Sequence, residues 1–296
     1  MRNRKLGAAA AAGLLAGFLS APAGAQESVL DRPIEKEGWP TEIIRRPLTL
    51  ARGMLELVVP LDVTLSARRA GEPVFLAPSL YYGVTDELTL GVRHFLGLCL
   101  SGSAHGCPKT YNDVGLEAIW RLRHEAGSDL AVAAALDASP ISDPFTLSGE
   151  VRLIGRFGSP ISLALAPALN FGFNERDTPL VKATAMAFPL ATYPFGWVEL
   201  SAENREFLSL PMALTFQVTP VLAVSLAGAL DGPLDPPTGD FGDFYRIPIG
   251  MAFVVSPTNL VDAGASFTFL NLLGKQLPGG DAADQRGLQI FAALRI

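Results

Sequence analysis

The sequence predicts an all-β protein: a transmembrane antiparallel up-and-down barrel of about fourteen strands behind an exported leader. Three observations carry this. A secretory leader is followed by no apolar run long enough for a membrane helix. Apolar and polar or small residues alternate with period 2 from Met54 to the last residue. The connections between alternating runs fall into a short class and a class that includes the long ones.

The leader occupies residues 1–25. Arg2, Arg4 and Lys5 form a basic start, Gly7 to Ser20 is an unbroken run of apolar and small residues, and Ala23-Gly24-Ala25 fits a cleavage site between Ala25 and Gln26. Cleavage removes three positive charges and no negative one, which takes the net charge from −6 to −9. An acidic exported chain is poorly suited to nucleic acid, which is not expected as a partner. Residues 26–49 have no sustained period and contain Pro33, Pro40 and Pro47. They read either as a periplasmic tail or as a plug folded into the barrel formed by residues 50–296.

Each predicted strand presents one apolar face. Leu55, Leu57, Val59, Leu61, Val63 and Leu65 open the series, and residues 66–73 connect to a strand from Val74 to Tyr82. Leu88, Leu90 and Val92 follow a turn at Thr85-Asp86; Val114, Leu116, Ala118, Trp120 and Leu122 come next; then Leu130, Val132, Ala134 and Leu136. Phe145 to Phe157 and Ile161 to Phe171 flank Gly158-Ser159-Pro160. Residues 179–193 alternate poorly and contain Pro189, which predicts a bulge or phase slip there. Val198 and Leu200 follow, then a hairpin from Leu208 to Leu230 around Thr219-Pro220. Ile247 to Phe253, Val261 to Phe269 and Leu288 to Ile296 complete the count. The count is fourteen, with twelve or sixteen as the alternatives because of the weak segment. An even number puts both termini on one side.

Six strands running down into short turns carry an aromatic residue near their end: Tyr82, Trp120, Phe157, Tyr193, Phe216 and Phe253. That recurrence predicts an aromatic girdle at the periplasmic interface. The face opposite the apolar one holds Glu56, Asp62, Arg93, Glu117, Arg121, Asp137, Glu150, Arg152, Arg156, Glu199, Arg246, Asp262 and Arg295. An Arg at mid-membrane costs about 2–4 kcal/mol on the lipid face, so these side chains are expected to face the lumen. They serve there as a network that holds the barrel's shape or as a filter for solutes.

Cys99 and Cys107 flank a short loop, and a close pair in an exported chain predicts a disulfide. No metal site is expected, since these cysteines with His105 make an incomplete ligand set. The loop carrying Asp231, Asp235, Asp240 and Asp243 reads as an acidic surface loop rather than a cation site. No cofactor is expected. His94, His105 and His124 are the only histidines, and none belongs to a recognisable catalytic set, so the chain is not expected to be an enzyme.

The leader, YYGVTDELTLGV at 81–92, QVTPVLAV at 217–224 and a final strand that alternates to its last residue resemble Gram-negative outer-membrane β-barrel proteins. The similarity is to a loose, transporter- and porin-like group of about fourteen strands, which includes fatty-acid and aromatic-hydrocarbon channels. It covers about residues 50–296 and does not assign a subfamily. One departure is the terminal Ile296, where such barrels usually end in an aromatic residue read by the assembly machinery. The resemblance implies an outer-membrane location, with membrane lipid and the barrel-assembly machinery as partners. It also implies a channel or transporter for small solutes, hydrophobic ones included. A structural or docking barrel without transport is the alternative, followed by a lipid- or peptide-modifying enzyme.

Overall fold

The computed structural model describes residues 36–66, 69–125, 127–139, 145–177, 180–185, 196–201, 204–234, 245–272 and 285–296. The predicted leader and residues 26–35 lie outside the described residues. Twelve antiparallel strands close into a barrel. In chain order they are β1 (Leu55–Ser66), β2 (Arg69–Leu76, resuming at Ser79–Gly83), β3 (Leu88–Arg93), β4 (Val114–Glu125), β5 (Ser128–Ala138) and β6 (Leu147–Phe157). The second half comprises β7 (Ile161–Leu165 and Ala168–Gly172), β8 (Phe207–Ser209 and Met212–Thr219), β9 (Leu222–Gly228 and Asp231–Pro233), β10 (Ile249–Val255), β11 (Val261–Phe269) and β12 (Arg286–Arg295). The barrel closes where β1 pairs with β12, from Glu56↔Arg295 to Thr64↔Gly287.

The count is therefore twelve, the alternative to the predicted fourteen. The two surplus strands are Leu180–Ala185 and Gly196–Ser201, which pair only with each other in a separate two-stranded sheet. β7 pairs directly with β8 through Ala168↔Ser209 and Leu169↔Leu208, so nothing between them enters the wall. A hairpin on an excursion alternates like a wall strand, and alternation alone cannot separate the two. The expected connection at 66–73 is also shorter than predicted, because β1 runs to Ser66 and β2 starts at Arg69.

Alternation sets the two faces. Across β7, β8, β9, β10, β11 and β12 one outward row runs Leu163, Leu214, Leu226, Met251, Phe267 and Leu288. Leu163, Leu214, Leu226 and Met251 are exposed, as are Leu116, Trp120, Val151 and Ile290 elsewhere on the exterior. An apolar belt around the whole circumference would be unstable in water and is satisfied by hydrocarbon. Leu55 and Ile296 exchange backbone hydrogen bonds, which places the described barrel's two ends together at the end of the short turns, 84–87, 158–160 and 256–260 among them. By the asymmetry of bacterial barrels that end is periplasmic.

The predicted disulfide forms: Cys99 and Cys107 are bonded, with Cα atoms 5.7 Å apart. It lies in a small cluster with Phe75 and Leu96 at the external mouth. Phe75 shares the inward face of Asp62 and pairs with Cys99, so residues 98–99 run beside β2 as an added piece of the wall, with Cys99 on that same face. The Asp113 carboxylate accepts hydrogen bonds from the backbone N–H groups of Phe95, Leu96 and Gly97, which fixes the loop's base. Replacing both cysteines by serine is expected to remove about 2.6 kcal/mol from the loop's local stability on the chain-entropy model. The barrel ladder does not depend on the bond. Limited proteolysis is thus expected to cut between residues 99 and 107 while the heat-dependent gel mobility of the barrel stays unchanged.

Candidate functional site

The inner wall carries the polar side chains. On β2 to β6, the Arg93 guanidinium sits within 2.7 Å of Asp137 and 3.1 Å of both Glu117 and Glu150. Arg152 pairs with Glu117 and lies 3.2 Å from Glu150. The Tyr81 hydroxyl donates to Glu117 at 3.1 Å, and Phe95 covers the Arg93 guanidinium with its ring 4.5 Å away. All of these groups except Phe95 are buried. Period-2 alternation alone does not bring them together. The register does, since Gly91↔Glu117, Glu117↔Ala135 and Ala135↔Glu150 put neighbouring strands level. Gly115 leaves the room that Asp137 fills, because a Cβ there would stand 2.0 Å from its carboxylate.

A second group lies nearer the periplasmic end, on β1, β11 and β12. Arg295 bonds Glu56 at 2.6 Å and Asp262 at 2.5 Å, and all three are fully buried. Asp262 also takes a forked pair of bonds, at 2.6 and 3.0 Å, from Arg46. Arg46 belongs to no strand. It lies in residues 36–54, the segment before β1, and is itself fully buried.

That segment crosses the lumen from wall to wall. Trp39 packs with Leu50, Ala51, Met54 and Tyr81. Ile43, in a single 3-10 turn, packs on Val58, Ala223, Val254, Phe291 and Ala293 of β1, β9, β10 and β12. Leu48 packs in a cluster with Ile119, Ala131, Ala133 and Ile154 of β4 to β6. The Thr49 hydroxyl then donates to the Asp86 carbonyl, and the Leu50 N–H donates to the Thr89 hydroxyl at 2.8 Å. Arg46 also donates to the carbonyls of Pro40 and Thr41, bracing the segment internally. From the wall, Arg156 donates to the carbonyls of Ile43 and Arg46 while paired with Asp129, which His124 also contacts.

Of the other residues singled out in the sequence, Asp62 is half-buried and accepts from the Gln289 amide at 2.9 Å. Arg246 is half-buried beside its backbone partner Asp231. Arg121 is buried on the inner wall. Glu199 is corrected: it pairs with Lys182 in the separate hairpin and so belongs to no barrel strand. Tyr193 lies outside the described residues. Tyr82, Trp120 and Phe253 are exposed on the outer surface, and Phe157 and Phe216 are half-buried. Phe216 and Phe253 both pair with Val224, which sets them on one cross-strand row.

Sequence reading did not single out Arg46, Tyr81 or Asp129 for the inner wall. Asp129 was detectable: extending the inward series Ala131, Ala133, Ala135 and Asp137 back by two residues reaches it. Among the histidines, His94 contacts the Tyr111 hydroxyl and the Pro78 carbonyl, His105 contacts Glu72, and His124 contacts Asp129.

Neither a family model nor a curated protein matches the sequence. Among solved structures the chain is similar to the NanC porin, with a TM-score of 0.51 at 9% identity, covering 81% of this chain and 100% of that one. It is also similar to an outer-membrane channel from Pseudomonas putida F1, with a TM-score of 0.50 at 12% identity, covering 84% of this chain and 97% of that one. At such identities the likeness concerns the fold. With its apolar belt and closed wall, the chain is a transmembrane β-barrel of porin-like fold.

Proposed function

We propose that the protein is an outer-membrane channel for small solutes, closed at its periplasmic half by residues 36–54 acting as a plug. One observation carries this reading: the segment is packed and hydrogen-bonded to opposite walls of the same lumen. Its seat has two kinds of surface. Charged side chains of β2 to β6 stand on one side. Ala213, Ala223, Ala227, Ala229 and Ala252 line the other, and they are buried. A solute with apolar as well as polar parts suits such a lumen, so the proposal includes hydrophobic solutes. The plug is held in its seat by apolar packing and a few polar contacts, and its covalent tie to the wall is its run into β1. It is therefore a removable obstruction, and removing it should matter more than changing any one wall residue.

The refolded mature chain is expected to give small, discrete conductance steps in a planar bilayer. A chain lacking residues 26–47 is expected to give larger ones, because the seat of Ile43 and Arg46 becomes water-filled. Silence of both chains in repeated trials would leave a structural or docking barrel as the better reading. Equal conductance in the two chains would remove the plug from the proposal and keep the channel.

A further inference from the structure

The Arg121 guanidinium is the odd member of the inner wall. Arg121 is only 5% exposed, yet its Nε and NH1 have no hydrogen-bond partner, and it enters no ion pair among the described residues. Asp86, Glu87 and Asp129 are the acids whose charge reaches it. Asp86 accepts the Arg52 backbone N–H, Asp129 holds Arg156 and His124, and Glu87, whose carbonyl takes the Arg121 backbone N–H, is exposed and makes no ion pair with the guanidinium. A buried guanidinium without a bound anion leaves a strong donor fork unused, which is costly and uncommon.

On its β5 side, away from Glu87, the wall is apolar and smooth. Arg121 pairs with Ala131, and Ala131 pairs with Ile154. The row continues into β7, β8 and β9 through Ala166, whose N–H donates to the Pro211 carbonyl, and then through Ala229, whose N–H donates to the Pro248 carbonyl. Ala131, Ile154, Ala166 and Ala229 form one buried cluster. The plug's Leu48 joins that cluster, so the row already accepts a branched aliphatic group.

We infer that Arg121 and the row Ala131–Ile154–Ala166 form a binding site for a small organic anion, the carboxylate bonded to the guanidinium and a compact branched apolar body in the place of the Leu48 side chain. The inference rests on the channel reading for its purpose, since it names the class of solute such a lumen would select. The physics is one of two half-sites. A carboxylate alone gains the fork but leaves the row as it is. An apolar alcohol gains the row but leaves the guanidinium unpaired. Only a molecule with both is favoured at both ends.

The test is calorimetric titration of the folded mature chain in detergent with 4-methylpentanoate, with 4-methylpentan-1-ol and acetate as the two half-ligands. The branched acid is expected to bind about tenfold or more tightly than either control, the scale of one charge-assisted hydrogen-bonded contact. Arg121→Gln is expected to erase the preference for the acid over the alcohol, Arg121→Lys to keep part of it, and Leu48→Ala to tighten the acid by vacating the row. Folding of each variant is checked by heat-dependent gel mobility. Absence of acid binding to both the native chain and Leu48→Ala, or equal binding to folded Arg121→Gln, overturns the site. Conductance is measured on the same samples. A conducting channel without Arg121-dependent binding refutes the site alone, and a silent barrel with such binding refutes only the channel.

Discussion

Asp262→Ala is expected to release the plug. In the native protein the Asp262 carboxylate is fully buried and answers two guanidiniums, Arg46 on the plug and Arg295 on β12. Without it, Arg295 retains Glu56 at 2.6 Å, but Arg46 loses both bonds to its carboxylate and remains out of water. Breaking a buried ion pair by removing one partner costs about 3–5 kcal/mol, mostly through the charge left behind. The two cations differ in how they can escape that cost. Arg295 is held in a strand paired on both sides, through Glu56 and through Leu294↔Val261 beside it. Arg46 sits on a segment with no strand partner and can return to periplasmic water by leaving its seat. The loss should therefore appear as departure of the plug rather than unfolding of the barrel. Trypsin reads this directly, since the bond between Arg45 and Arg46 is its target, Pro47 protects the next one, and the native seat buries Arg46. Rapid cleavage after Arg45, with conductance rising toward that of the chain lacking residues 26–47, is the expected result. Resistance to trypsin with unchanged conductance would mean that apolar packing of Trp39, Ile43 and Leu48 holds the segment by itself. Arg46→Met combined with Asp262→Ala should recover part of the loss, because the segment then carries no cation into its buried seat while Arg295 keeps Glu56.

Why the barrel was legible while its strand count was not follows from what alternation encodes. Leu163, Leu214, Leu226 and Met251 form a lipid-facing row because period 2 is a property of each strand on its own. Membership of the closed sheet is a property of pairs. Val198 and Leu200 alternate as wall residues do, yet their strand pairs with Leu180–Ala185 and never with β8. The same distinction separates what could be read of the inner wall from what could not. The sequence assigns Arg93 and Glu117 to one face, but their meeting depends on register, which the turn at 84–87 and the loop at 94–113 set together. Arg46 gave no signal at all. It lies in an aperiodic, proline-marked segment, and its burial is caused by partners more than two hundred residues away.

Arg93→Met should do more harm to the barrel than any other single inner-wall change. Arg93 uses its Nε and both terminal nitrogens on three carboxylates, those of Asp137, Glu117 and Glu150. Its removal leaves three buried acids facing one cation, Arg152. None of the acids can follow the route open to Arg46, because Glu117, Asp137 and Glu150 belong to β4, β5 and β6 and each is paired on both flanks. The cost should therefore fall on the barrel itself, at about 3–5 kcal/mol or more. Arg93→Lys keeps the charge but offers a point rather than a fork, so it should lie between the native chain and Arg93→Met. The sign with pH is fixed by the stranded charges. Protonating carboxylates removes the excess negative charge, so the deficit of Arg93→Met relative to the native chain should shrink as pH falls. Urea titrations followed by gel mobility, run at neutral and at acid pH, measure both effects. A deficit that stays constant with pH would mean that Arg93 acts mainly by filling space between Phe95 and the wall. A deficit that closes in acid, and is partly rescued at neutral pH by Asp137→Asn in the same chain, would establish charge compensation as what holds β3 to β6 in register.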